Sequence, residues 1–227
     1  MEFQINFSTE NLHNFEDFVN VEQTDLGRKK YYKMSLNDLV KILSNSTSTG
    51  KVESPFLPRN CIKHVKTANG YEVFVDIPKQ KWMINYNDNM FEVGFPRILI
   101  QYGCTFNTSK TESVLYSVEI LRIFAIKGKE SINGETPLYQ FPYSHVESNG
   151  KVCMGGNKIR DIKNLSELDA CHNIFFHSPF SHDWGAKTSL KQGIPELFAS
   201  TFNQKDFDDE VLLPCERSFN EFFNLTN

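Results

Sequence analysis

The stretch ANGYEVFVDIPKQKWMINYNDN, residues 68–89, decides the fold class of this chain. Its Asn69-Gly70 pair is typical of a tight hairpin turn, because both residue types tolerate a positive φ. Apolar residues then alternate along one face: Tyr71, Val73, Val75 and Ile77. A period of two predicts a β-strand with one buried face. Residues 81–86 form a shorter candidate strand, so the stretch predicts neighbouring antiparallel strands.

Two more strands are predicted after this stretch. Residues 97–104 contain an apolar run at 98–100, and residues 114–126 are rich in β-branched and aromatic side chains. Together the candidates predict an antiparallel meander of about four strands. Residues 1–33 are polar and mixed, and they predict one or two irregular strands.

Helices are predicted on both sides of the meander. Ser35 can cap a helix whose apolar residues recur at helical spacing: Leu36, Leu39, Val40 and Leu43. The polar run at 45–50 predicts the loop that ends this helix. Residues 189–202 and 217–225 carry similar helical spacing near the end of the chain. This order of elements predicts an α+β fold, with helices segregated from an antiparallel sheet.

Composition and charge restrict the class of protein. With 227 residues, of which 40% are apolar, the chain can bury a substantial core. A net charge of −4, without a long run of one sign, argues against binding to nucleic acid or to an anionic membrane. Both of those partners need a concentrated basic face. We therefore expect a protein partner or a small substrate.

Cysteine usage and the first residues predict a cytoplasmic protein. The five cysteines are scattered and form no CxxC pair: Cys61, Cys104, Cys153, Cys171 and Cys215. Such usage favours free thiols over a disulfide framework. The start of the sequence lacks a basic segment followed by an apolar core, so we expect no signal peptide. No stretch approaches the roughly 18 consecutive apolar residues of a membrane span.

The segment FPYSHVESNGKVCMGGN, residues 141–157, is the candidate chemical site. Cys153 follows an Asn-Gly turn, and the backbone N–H groups of the next residues can cradle a developing negative charge: Met154, Gly155 and Gly156. His145 lies eight residues earlier and can approach the thiol if the segment doubles back. An exposed thiol can accept an acyl group from a thioester. The alternative is a cysteine that only packs at a strand end, with His145 as a loop histidine.

Two other chemistries remain open at this point. A metal site is suggested by a group of residues whose side chains carry nitrogen or sulfur atoms that can bind a metal: Cys171, His172, His177 and His182. The three histidines are five residues apart, and this spacing does not place them on one face of a helix or strand. No second Cys/His pair completes a zinc set, so we predict no metal site. A Cys-His hydrolase would combine Cys153 and His182 with Asp183 or Asn157, but no hydrolase motif surrounds them.

Around Cys153 the chain resembles a ubiquitin-conjugating enzyme, or E2. Such an enzyme carries a His-Pro-Asn triplet, a short turn with glycine, and then the cysteine that forms a thioester. Aligned on Cys153, the residues Tyr143-Ser144-His145 stand at the triplet and Gly150 stands in the turn.

The resemblance is closer to a bacterial branch of that superfamily, prokaryotic family D, which includes protein B of the PRTRC cassettes. Five motifs resemble the family in order along the chain: Leu57-Pro58, Trp82, residues 95–100, residues 136–143 and residues 178–182. The resemblance extends from about residue 35 to residue 200, and it depends on the ordered set more than on any one motif.

The resemblance implies the E2 fold: an N-terminal helix, a meander of about four antiparallel strands, the cysteine loop, and then helices. It implies an N-terminal extension at 1–34, a core at 35–205, and a C-terminal tail at 206–227 that packs on the core. It also implies that Cys153 accepts a ubiquitin-like protein as a thioester from a ThiF-like adenylating enzyme and passes it on. Such a transfer needs no metal and no bound organic cofactor on this chain.

The family's site also implies roles for neighbours of the cysteine. His145 would support the oxyanion together with the loop 154–157, which ends at Asn157, and His182 would face the cysteine as an accessory residue. The chain departs from the E2 pattern because His145 stands in place of asparagine and Tyr143-Ser144 in place of His-Pro. Transfer to an amine, thioester transfer alone, and loss of the chemistry are all compatible with that change. A noncatalytic scaffold that binds the ubiquitin-like or ThiF-like partner is therefore the second hypothesis, and a Cys-His hydrolase is the third.

Overall fold

The chain forms two compact units, Met1–Ser54 and Pro55–Asn227. The structure is a computed structural model that describes residues 2–6, 14, 16–25, 27–47, 53–107, 115–191, 193–201 and 206–225. Within these residues, no helix is both long and apolar enough to cross a membrane.

The first unit is a three-stranded sheet followed by a helix. Its strands pair antiparallel in the order β1–β2–β3, with the bounds β1 Glu2–Asn6, β2 Phe18–Asp25 and β3 Arg28–Ser35. The helix, α1, spans Leu36–Thr47. A small core joins the sheet to the helix through Val19, Val21 and Leu39, all buried. Sequence patterning predicted one or two irregular strands here, and the structure has three regular ones.

The start of α1 agrees with the sequence prediction. The hydroxyl of Ser35 accepts a hydrogen bond from the backbone N–H of Asp38 at 3.0 Å. This is how a cap satisfies one of the free N–H groups of a first helical turn. The predicted loop at 45–50 begins too early, because the helix continues to Thr47. Residues 48–50 lie outside the described residues.

The second unit is built on a six-stranded antiparallel sheet with the strand order β11–β10–β9–β8–β5–β4. Its strands are β4 Cys61–Thr67, β5 Gly70–Ile77, β8 Arg97–Asn107, β9 Leu115–Ile126, β10 Pro137–Gln140 and β11 Pro214–Ser218. The predicted hairpin at Asn69-Gly70 joins β4 to β5. The strand predicted over 114–126 is β9, and Val114 lies outside the described residues.

A separate two-stranded hairpin packs beside this sheet. Strand β6 spans Gln80–Tyr86 and pairs antiparallel with β7, Asn89–Phe95. The turn between them holds Asn87 and Asp88 at φ of 49° and 60°, a conformation that these two residue types tolerate better than most others. The backbone of Phe180 joins the edge of β6 by donating its N–H to Asn85 C=O at 2.7 Å.

The two faces of the main sheet carry separate cores, because successive side chains of a strand point to opposite faces. In β5, Val73 and Val75 point into the larger core, while Phe74 points into the smaller one. The larger core is rich in buried aromatic residues: Phe95, Phe141, Tyr143, Phe175, Phe176, Phe180 and Phe198. The smaller core is closed from the C-terminal side by Phe219, whose ring lies 5.1 Å from that of Phe74.

The helices of the second unit are short. They are 3₁₀ turns at Leu165–Ala170 and Asp209–Val211, and the α-helices α2 Asn173–Phe176, α3 Ile194–Thr201 and α4 Phe219–Phe223. The predicted helix at 189–202 starts late, because Lys191 has a positive φ of 53° and Pro195 takes up an early position of α3. Phe202, its predicted last residue, lies outside the described residues.

The antiparallel α+β class expected from the sequence is compatible with this structure, but the expected number of strands is too low. The meander of about four strands is a six-stranded sheet with an additional hairpin. The sequence analysis assigned no strand to four elements: β4 is polar, β10 and β11 are short, and β7 carries an apolar alternation at Phe91, Val93 and Phe95 that was overlooked. Strands of four or five residues that contain proline carry little alternation for a sequence pattern to detect.

Candidate functional site

The segment around Cys153 folds back on itself as a small irregular hairpin. Val146 and Val152 form an antiparallel bridge, and the N–H of Glu147 donates to the C=O of Lys151 at 2.9 Å. At the open end, the N–H of Cys153 donates to the C=O of His145 at 2.8 Å. The structure therefore places the histidine and the cysteine side by side through their backbones.

The hairpin is fixed to the sheet through Gly150. The N–H of Ile123 in β9 donates to the C=O of Gly150 at 2.9 Å. Beside it, the backbones of Arg122 and Lys151 form an antiparallel β-bridge. Gly150 has φ +82° and lies so close to Phe124 that a Cβ atom there would be 2.4 Å from the ring. Only glycine meets both demands, so this position sets how the hairpin that carries the cysteine lies on β9.

Cys153 is exposed, and its four fellow thiols are not. All five cysteines are free; Cys104 and Cys171 are buried, and Cys61 and Cys215 are half-buried. Burial raises the pKa of Cys104 to about 12 and the pKa values of Cys171 and Cys215 to about 11. Burial also raises the pKa of Cys61. Since the thiolate is the nucleophile, Cys153 is the thiol that this structure presents for reaction.

The loop after the cysteine presents free amides. Within the described part of the chain, no hydrogen bond engages the backbone N–H groups of Met154, Gly155 or Gly156. The N–H of Asn157 donates to Met154 C=O at 3.0 Å and closes the turn, and Gly155 has φ +58°. No atom lies within 4 Å of a Cβ position at either glycine. Successive unshielded amides of this kind can bind an anion.

His145 connects the cysteine hairpin to a second loop. Its Nε2 lies 2.8 Å from the C=O of Pro179, and its ring packs 5.5 Å from that of Phe180. A carbonyl only accepts, so Nε2 carries the proton and donates, and in the neutral ring Nδ1 is then an acceptor. His145 also has φ +68°, a left-handed conformation that is uncommon outside glycine and asparagine.

Asn157 braces the same second loop. Its side-chain amide donates to the hydroxyl of Ser178 at 2.9 Å, and that hydroxyl donates in turn to the C=O of Ile174 in α2 at 2.7 Å. Pro179 and Ser178 thus bind the cysteine hairpin through hydrogen bonds with His145 and Asn157, a role that the sequence analysis missed. The motif at 178–182 was noticed, but its pairing with the hairpin depends on contacts between residues more than 20 positions apart.

The remaining candidates are not joined to the cysteine. His182 and Asp183 are exposed, and the backbone around them makes a local turn in which the N–H of Asp183 bonds to Ser181 Oγ at 3.1 Å. No hydrogen bond between described residues links the His182 ring to Cys153 or to Asp183. A Cys-His hydrolase needs a base in contact with its nucleophile and an orienting third group, and this geometry supplies neither.

The histidines considered for a metal site lie in different environments. His172 is buried with its ring 5.5 Å from that of Trp82, whereas His177 and His182 are exposed. Within the residues that the structure describes, no group of three or more His, Cys, Asp or Glu side chains is arranged to hold a metal ion. Burial lowers the pKa of His172, which keeps its ring neutral beside the aromatic residues.

Comparison with known protein families gives a match. The sequence model of a family described as prokaryotic E2 family D matches residues 35–215. The matched range contains the cysteine hairpin, the loop at 178–182 and nearly all of the main sheet. No curated protein and no solved structure matches the chain.

Proposed function

The chain belongs to prokaryotic E2 family D, and on that premise we propose that it accepts a ubiquitin-like protein as a thioester on Cys153 and passes it on. Family membership gives the chain an E2-like role in ubiquitin-like conjugation in prokaryotes, with a ubiquitin-like protein and an activating enzyme as its general partners. The proposal adds the residue that carries the acyl group and the ThiF-like nature of the activating enzyme.

The observation that carries the proposal is the exposure of Cys153 at the end of its hairpin. The other four thiols are buried or half-buried and have raised pKa values, so Cys153 is the thiol most accessible to a large acylated partner. A cysteine kept only for packing would be expected inside the core, where free cysteines are most often found.

The proposed step exchanges one thioester for another. The Cys153 thiol loses its proton, and its sulfur attacks the carbonyl carbon of the thioester that joins the ubiquitin-like protein to the activating enzyme. The bond from that carbon to Cys153 sulfur forms, the bond to the activating enzyme's sulfur breaks, and the departing thiolate takes up a proton. ATP is consumed earlier, on the activating enzyme, and not in this exchange.

The tetrahedral intermediate of this step carries a negative oxygen. The amides of Met154, Gly155 and Gly156 have no other hydrogen-bond partner in the described part of the chain, so they are available to stabilise it. His145 holds the hairpin to Pro179 through its Nε2, and it donates to an oxyanion from Nδ1 only as the imidazolium. In the neutral form, therefore, we assign His145 a positioning role.

The test is a charging reaction with purified components. This protein, a ThiF-like activating enzyme, its ubiquitin-like partner and ATP are separated on a gel with and without reductant. We expect a conjugate that disappears with thiol in the wild type, persists as a thiol-resistant oxyester in Cys153→Ser, and is absent in Cys153→Ala. Cys61→Ala is the matched control and should charge normally. An undiminished reductant-sensitive conjugate in Cys153→Ala overturns the assignment.

A noncatalytic scaffold is the second candidate, and the observation that favours it is the hydrogen bond between His145 and Pro179. That bond occupies the ring N–H at the position where E2 enzymes carry an asparagine. A scaffold predicts that binding to the ubiquitin-like or ThiF-like partner is unchanged in Cys153→Ala. It also predicts that no thioester forms in the wild type although the partner itself is activated.

A further inference from the structure

Helix α4 packs one aromatic ring against two residues of β9 that hold the cysteine hairpin. The centre of the Phe222 ring lies 4.6 Å from that of the Phe124 ring, with the two planes at 68°. The guanidinium carbon of Arg122 lies 5.6 Å from the centre of the same Phe222 ring. The backbone of Arg122 bridges to Lys151, and the ring of Phe124 lies against Gly150. Phe222 therefore contacts both of the residues at which the hairpin meets the sheet.

The backbone of β9 is irregular at the same place. Its pairing with β8 skips Leu121, which stands as an extra residue between Ile120 and Arg122. Such a β-bulge bends the strand and changes the direction of the side chains beside it. The three residues after the bulge are those that meet the hairpin. The directions of their side chains therefore depend on the packing around them as well as on regular strand pairing.

The buried ring of Phe124 lies between the hairpin and α4 in the smaller core. On the hairpin side, a Cβ atom at Gly150 would lie 2.4 Å from Cζ of the ring. On the helix side, Phe222 and Phe223 lie 4.6 and 5.9 Å away, between ring centres. Protein interiors are close-packed and transmit displacements. The position of Gly150 therefore depends on where α4 holds the Phe124 ring.

Helix α4 is itself fixed to the second unit by main-chain hydrogen bonds. The N–H of Phe219 donates to the C=O of Thr136, and the N–H of Asn220 donates to the C=O of Gly134, both at 2.9 Å. A capping box closes the first turn of the helix. The backbone that carries Phe222 therefore has a defined position, and so does the ring that it presents to β9.

We propose that Phe222 is a positioning residue for Cys153, and that it acts through the ring of Phe124. Its effect on thioester transfer rests on the proposed function, whereas the contacts themselves involve this chain alone. With Phe222 in place, Phe124 stays against Gly150, and the hairpin keeps the hydrogen bond between Cys153 and His145. Without the Phe222 ring, Phe124 gains space and the hairpin is held less closely. Since catalysis depends on the exact placement of the nucleophile, the transfer then slows.

A matched control separates this role from general packing. Phe219 belongs to the same helix and to the same core as Phe222. Among the described residues its ring contacts are with Phe74 and Phe223, and none is with Phe124. Phe219→Leu and Phe222→Leu therefore each remove one ring from α4, but only the second releases the Phe124 ring. Phe222→Tyr keeps an aromatic ring at this half-buried position and should restore the wild-type behaviour.

The first experiment measures amide hydrogen exchange by NMR in the protein alone, so its result does not depend on any partner. The N–H groups of Ile123 and Cys153 report on the hairpin, because both take part in its hydrogen bonds. We expect both to exchange roughly fivefold or more faster in Phe222→Leu than in Phe219→Leu. The N–H of Tyr116, which bonds outside the hairpin, should exchange equally in the two variants. Equal exchange at Ile123 and Cys153, or an equally large acceleration at Tyr116, overturns the proposal.

The second experiment measures single-turnover charging of Cys153 over a range of concentrations of the activated partner. We expect Phe222→Leu to lower the maximal rate roughly threefold and to leave the half-saturating concentration unchanged, because the thiol and not the binding is affected. Phe124→Leu should slow charging too, and the double variant should be no slower than Phe124→Leu alone. Additive effects of the two substitutions overturn the path through Phe124. A wild type that does not charge refutes the proposed function, while hydrogen exchange still decides the role of Phe222.

Discussion

The backbone N–H of Cys153 donates to the C=O of His145 at 2.8 Å, and the ring of the same histidine donates to Pro179 C=O at 2.8 Å. One residue therefore connects the hairpin that carries the thiol to the loop that follows α2. The position of the thiol is set by main-chain hydrogen bonds on one side and by a histidine side chain on the other. Its chemistry should accordingly respond to changes at His145 even if that ring never contacts the acyl group.

Selective alkylation tests the exposure of Cys153. At pH 8 a thiol with a pKa of about 11, such as Cys171 or Cys215, is only roughly a thousandth thiolate, and burial also hinders its access. We expect brief treatment of the folded protein with N-ethylmaleimide to give one adduct by mass spectrometry, located at Cys153. The urea-unfolded protein should give five, one for each cysteine. A second fast adduct in the folded protein contradicts this.

Substitutions at His145 test its positioning role. His145→Ala removes the bond to Pro179 and the ring contact with Phe180, and we expect a loss of about 1–2 kcal/mol in the free energy of unfolding. It should also slow charging of Cys153 roughly tenfold, because the hairpin is less well held. His145→Asn should retain most of both, since asparagine tolerates the left-handed φ of +68° and can donate a hydrogen bond.

The control for this pair is His177→Ala. His177 is exposed at the end of α2, and its replacement should change the free energy of unfolding by less than about 0.5 kcal/mol. Urea unfolding and single-turnover charging are measured for all three variants. If His145→Ala charges at the wild-type rate, the hydrogen bond from His145 to Pro179 is irrelevant to the reaction.

The fold was predictable from sequence where one face of an element is apolar and the other is not. The alternation in β5 is of this kind, the start of α1 is marked by the cap at Ser35, and both patterns are local. Strands such as β10 were not predictable, because only four residues form it and its partners, β9 and β11, come from distant parts of the chain. Long-range pairing supplies what the local sequence lacks.

The candidate site was predictable in its centre and not at its edges. The Asn-Gly turn before Cys153 shows that the chain reverses there, which brings His145 alongside. The contacts of His145 with Pro179 and of Asn157 with Ser178 join loops that no spacing rule relates.

Alanine substitution at two glycines tests how the hairpin is seated on the sheet. Gly150→Ala meets the Phe124 ring at 2.4 Å and keeps an unfavourable φ of +82°, so we expect a loss of about 2–4 kcal/mol. Gly155→Ala has open space around it and carries only the left-handed strain, about 1 kcal/mol. Urea unfolding followed by tryptophan fluorescence measures both, because Trp82 and Trp184 lie in the second unit. Equal midpoints for the two variants would refute this account of Gly150.

The decrease in the free energy of unfolding at acidic pH should depend on His172. Burial lowers the pKa of His172 below the usual 6.5, and the charge of Asp169 opposes this to a smaller extent, so the folded protein binds fewer protons there than the unfolded chain. The stabilising effect of keeping the ring neutral is complete above the unfolded pKa and is lost as the pH falls toward the folded one. We expect His172→Gln to flatten the decline in the free energy of unfolding between about pH 7 and pH 5, whereas the exposed His177→Gln should leave the slope unchanged. Urea midpoints taken at half-unit pH steps decide this, and equal slopes in wild type and His172→Gln would show that the buried ring is not the group that titrates.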